Sequence, residues 1–102
     1  MSLRRTRFSD LVERQLEIFR TDRAGLIHDA ESALRAYTDA GRGEAEERYG
    51  DYLDLVETGQ DELVELREGY AETLDATTAE EYRGVFNELV RKRLPRFGLE
   101  LE

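Results

Sequence analysis

Few residues in this chain have the types and spacing that chemistry needs. Its one histidine, His28, has Asp29 and Glu31 nearby, and the three could supply part of a metal site. A carboxylate-bridged dimetal bundle needs inward glutamates and Glu-x-x-His pairs, and the residue three before His28 is Gly25. The motif is absent. A metal would have to be shared between two copies meeting at His28, against the simpler account of a surface or core-edge histidine. Ser32 stands one helical turn after His28, but neither it nor Ser9 belongs to a Gly-x-Ser-x-Gly elbow or a Ser-His-Asp set. Gly41-Arg42-Gly43-Glu44 lacks the Lys-Ser/Thr of a phosphate loop and reads as a helix-to-helix turn. With no cysteine, thiolate chemistry and disulfides are excluded. The expectation is a non-enzymatic protein with no cofactor.

Charge gives a second set of candidates. The net charge of -9 opposes general nucleic-acid binding, which rests on neutralising phosphates. Within that acidic background, basic residues gather at Arg4, Arg5 and Arg7 and again at Arg91, Lys92, Arg93 and Arg96. A dimer that joined the two clusters would offer an RNA or acidic-protein contact, and an RNA- or ribosome-associated accessory factor is the alternative expected function. Helix-end electrostatics account for the second cluster without a ligand. The apolar residues, as in Leu26-Ile27 and Leu55-Val56, come in runs far too short for a membrane span. The basic start has no apolar stretch behind it, so the expected location is cytoplasmic.

The elements that position these residues are read from apolar spacing. Phe8, Leu11, Val12, Leu16, Phe19, Leu26, Ile27, Ala30, Leu34 and Tyr37 predict a helix over 8–40, with a weak point at 21–25, where Gly25 lowers helix stability by about 1 kcal/mol and a kink or a break into two helices can fall. Ala45, Tyr49, Tyr52, Val56, Gly59, Leu63, Leu66 and Tyr70 alternate at steps of four and three, predicting a second helix over 44–75 with the seam of a coiled coil. Gly59 removes a side chain from that seam, where a helix or an aromatic ring can approach closely. Thr78 and Glu81 suggest a capping box for a third helix over 78–94, which Pro95 stops. Residues 95–102 change period and read as an extended strap, with Phe97, Leu99 and Leu101 on one side.

The expected fold is therefore all-α: one domain over 1–102, a long antiparallel hairpin plus a shorter third helix, up-down-up, with an extended tail. At 1.5 Å per residue, the first two helices reach about 45 Å and the third about 25 Å. A third helix that short leaves the hairpin near residue 41 uncovered. The apolar residues there, Leu26, Ile27, Leu34, Tyr37, Tyr49, Tyr52, Leu53 and Val56, are the expected partner interface. Covering such side chains is worth about 1.5 to 3 kcal/mol apiece. A second copy is the first expected occupant, because closed two-fold dimers are the commonest assembly. The chain's own tail or a helix of another protein would serve as well.

Overall fold

The computed structural model describes residues 7–99. Arg4, Arg5 and Leu101, which figure in the expectations above, lie outside the described residues. The described chain is all-α, with no strand. Its helices are α1 (Ser9–Asp22), α2 (Ala24–Asp39), α3 (Ala45–Ala71) and α4 (Ala76–Arg93), followed by a 3-10 turn at Pro95–Phe97.

The single helix expected over 8–40 is two helices. Arg23, with φ -114° and ψ 32°, interrupts it inside the weak segment that Gly25 marks. The reason lies in packing: α1 lies on α4, whereas α2 runs along α3, and one straight helix could not face both. The guanidinium of Arg23 donates to both carboxylate oxygens of Glu62 on α3, at 2.7 and 2.9 Å, which ties the break to the hairpin. Arg23–Glu62 at one end and the Tyr37–Tyr49 ring contact at the other show that α2 and α3 run antiparallel.

Helix α3 ends at Ala71, earlier than the spacing suggested, and a turn leads to Asp75. The start of α4 is capped by Asp75 rather than Thr78: the Asp75 carboxylate accepts from the Thr78 backbone N–H at 2.9 Å and from its hydroxyl at 3.0 Å. A side-chain oxygen at this position satisfies a donor that the first turn would otherwise leave unpaired. The tail also departs from the expected extended strap. Leu94, Phe97 and Leu99 are all buried, and the 3-10 turn swings Phe97 onto α3.

The core gathers residues from every element. Val12 and Leu16 of α1, Ala30 of α2, Leu63 and Ala71 of α3, and Tyr82, Phe86 and Val90 of α4 are buried together with Phe97. Phe8, Tyr70, Tyr82 and Phe86 form a chain of rings around Tyr82, with the Tyr70–Tyr82 centroids 4.8 Å apart. The Tyr82 hydroxyl donates to Gln15 Oε1 at 2.8 Å. Burial pushes its pKa up to about 12, so it stays a neutral donor.

Polar ties hold the two ends of α4. Near its start, Glu68 accepts from Arg83 at 2.9 Å and from Arg67 at 2.8 Å, and Arg67 also donates to the buried Asn87. Beyond its end, Gln60 donates to the Gly98 carbonyl at 2.9 Å. No buried side-chain polar atom among the described residues lacks a partner.

Candidate functional site

The third strand of cover over the hairpin is α4 and its 3-10 turn, and it runs out at the level of Gly59. There the ring of Phe97 lies so close that a Cβ on Gly59 would stand 2.5 Å from two of its carbons. Beyond this point, toward the turn at residues 40–44, α2 and α3 have only each other.

The structure divides the expected interface residues into three groups. Leu26 and Val56 are buried between the hairpin helices, so they are core rather than surface. Ile27, Leu34 and Tyr52 are half-buried and line a trough of about 620 Å³ with Phe97 and Pro95 along its floor and edge. Tyr37, Tyr49 and Leu53 are exposed, at 37%, 44% and 43%. The exposed part is narrower than the sequence suggested, because α2 and α3 pack along their length and draw Leu26 and Val56 inward.

The aromatic residues are joined across the hairpin. The rings of Tyr37 and Tyr49 sit 5.0 Å apart, and Tyr49 and Tyr52 are 6.3 Å apart, so the three form one connected surface from α2 to α3. Leu53 follows Tyr49 by one helical turn. Glu46, Gly50, Leu53 and Glu57 share the three-and-four spacing of one α3 stripe, and a Cβ at Gly50 would meet nothing within 4 Å. A notch therefore separates Glu46 from Leu53.

Sequence reasoning missed Ile18, the most exposed large apolar residue among the described ones at 54%. It lies one step off the Val12-Leu16-Phe19 stripe and beside the cleft between α1 and α3, where Leu66, Gln15 and Glu62 also stand.

The basic candidates lie at the end of α4, where Arg93 and Arg96 line the same trough as Ile27, Leu34 and Tyr52, and they are engaged within the chain. Arg93 pairs with Glu13 at 2.7 Å, Arg96 with Glu31 at 3.6 Å, Lys92 with Glu88 at 3.9 Å, and Arg91 reaches the Leu99 carbonyl at 3.5 Å. Arg20 adds a hydrogen bond to the Arg93 carbonyl at the end of α4. The Arg93 pKa is raised by its bond to Glu13, as the pairing requires.

His28 is exposed, and Ser32 accepts a hydrogen bond from Arg35 at 3.3 Å rather than from His28. Among the described residues, no group of three or more His, Asp or Glu side chains is placed to hold a metal ion. No helix among them is long and apolar enough to cross a membrane. Comparison with known protein families, with curated proteins and with solved structures finds no match for this chain.

Proposed function

We propose that this chain is a non-enzymatic helical interaction protein whose working surface is the distal face of the α2–α3 hairpin. Association through that face, by self-association or with a helix of another protein, is its activity. One observation carries the reading: Tyr37, Tyr49 and Leu53 stay exposed as a connected surface just where α4 and Phe97 stop covering the hairpin. Helix-in-groove docking uses such a surface, with apolar anchors at helical spacing, and tyrosine supplies contact area at interfaces with its hydroxyl kept at the rim.

Contact with RNA through Arg91, Lys92, Arg93 and Arg96 has weaker support, since each of the four already meets an acceptor of its own chain.

The test combines solution mass with site-directed cross-linking. Light scattering over a range of concentrations reports self-association, and a photo-activated residue at position 53, compared with one at exposed Arg14, reports a partner in the cell. A mass above the monomer that Leu53→Glu abolishes, or an adduct specific to position 53, supports the reading. A monomer throughout with no specific adduct overturns it.

A further inference from the structure

The charge around the distal face bears on its occupant. Between Tyr37 and Glu57, the chain carries only two cations, Arg42 and Arg48, and Arg48 lies between Glu44 and Asp51 at 3.5 and 4.0 Å. Against these stand Asp39, Glu46, Glu47, Asp54 and Glu57, none of which has an ion-pair partner among the described residues. Glu46 and Glu57 matter most, because they bracket Leu53 on its own stripe, with the Gly50 notch between. An occupant laid along Tyr49 and Leu53 must run its flanks past these carboxylates.

A second copy fits this requirement poorly. Face to face, it would set the same row of carboxylates near its own, and like charges brought together under partial desolvation oppose association. Among the described residues, it also has no basic amphipathic helix free to offer in their place. The cations at the end of α4 are bound within the chain, and the apolar side of α4, with Tyr82, Phe86 and Val90 at 0% exposure, is consumed by the core.

On the reading of the distal face as a docking surface, we infer that its occupant is an amphipathic helix of another protein, with an apolar stripe bordered by Lys and Arg. The stripe covers Tyr37, Tyr49 and Leu53, the Gly50 notch admits the helix closely, and the basic border meets Glu46 and Glu57. Opposite charge at the rim selects the partner and speeds its encounter, and it makes the association sensitive to salt.

Two synthetic helices with the same Leu stripe test this, one bordered by Lys and Arg and the other by Glu, titrated against the full chain by calorimetry at low and physiological salt. The basic helix is expected to bind at least roughly tenfold tighter, with the advantage shrinking as salt rises. Leu53→Glu is expected to abolish its binding, and Glu46→Lys with Glu57→Lys to erase the preference without lowering the melting temperature. Equal binding of the two helices overturns the charge inference and leaves the docking surface intact. So does a chain found by light scattering to be paired through this face at low micromolar concentration, since a second copy is then the occupant. A monomer that binds neither helix, with no specific adduct at position 53, overturns both.

Discussion

The ring of Phe97 lies against the backbone of Gly59, with its Cδ1 and Cε1 each 2.5 Å from where a Cβ on Gly59 would be. The contact fixes the 3-10 turn on α3 at the level of Gly59. Glycine is the only residue that allows the approach. Gly59→Ala gains about 1 kcal/mol of helix propensity but forces ring or backbone aside, and overpacking of this kind costs about 1 to 3 kcal/mol. The expected outcome is a net loss near 1 kcal/mol. Phe97→Ala alone should cost about 3 to 5 kcal/mol. In that background the sign of Gly59→Ala reverses, because only the propensity gain remains. Urea unfolding of the four combinations measures the coupling, and simple additivity would show that ring and glycine do not meet.

The distal face should be silent in stability. Tyr49→Ala and Leu53→Ala remove side chains that remain more than two-fifths exposed, so each should change unfolding free energy by no more than about 0.5 kcal/mol. Val56→Ala, one turn further into the hairpin and buried, should cost about 1 to 3 kcal/mol. Thermal unfolding of the three variants separates surface from core. A large loss at Leu53 would mean that it supports the fold.

Glu68 gives the fold an acid limit. Its bond to Arg83, the largest cause, and its contact with Arg67 lower its pKa from 4.5 to about 2, against an opposing push from burial. Between those values the unfolded chain binds the proton more readily than the folded one does. The stabilisation is therefore complete above about pH 4.5 and is lost as pH falls toward 2. Glu68→Gln should lower the melting temperature at neutral pH and flatten the fall below pH 4.5, which denaturation scans at stepped pH would detect.

The start of α4 depends on Asp75, whose carboxyl is held below its ordinary pKa by the bond from the Thr78 backbone N–H. Asp75→Ala should lower the melting temperature by a few degrees, and Asp75→Asn should recover most of that loss because it keeps an oxygen acceptor. Equal losses for the two variants would mean that charge, not the cap, is what matters.

How much of this was legible in the sequence differs by element. The seam of α3, the stop at Pro95 and the close approach at Gly59 could be read from spacing, because each depends on local chemistry or on a residue type with one use. The weak segment around Gly25, where a kink or a break can fall, was also visible, but the direction in which α1 turns from the break at Arg23 was not. Which way α1 turns is decided by Arg23 meeting Glu62 and by Phe8 and Gln15 meeting Tyr82, contacts that join distant residues. The same limit applies to the candidate site. Tyr37, Tyr49 and Leu53 are exposed, as expected of uncovered residues, but Leu26 and Val56 are buried, because seam spacing does not tell which edge of a stripe the neighbouring helix covers. Ile18 was missed because it lies one step off the buried stripe of α1.

The partnership of α1 with α4 bears on the order in which the chain acquires its structure. Glu13 waits for Arg93, and Gln15 for Tyr82, across 80 and 67 residues, whereas α2 and α3 need only a short turn to meet. During synthesis the hairpin can therefore close early, while the apolar side of α1 has nowhere to go until α4 emerges behind it. In that interval Val12, Leu16 and Phe19 are open to any nascent-chain chaperone. The exposed face at Tyr37 and Tyr49, built wholly within the early hairpin, can form before the body that supports it is finished.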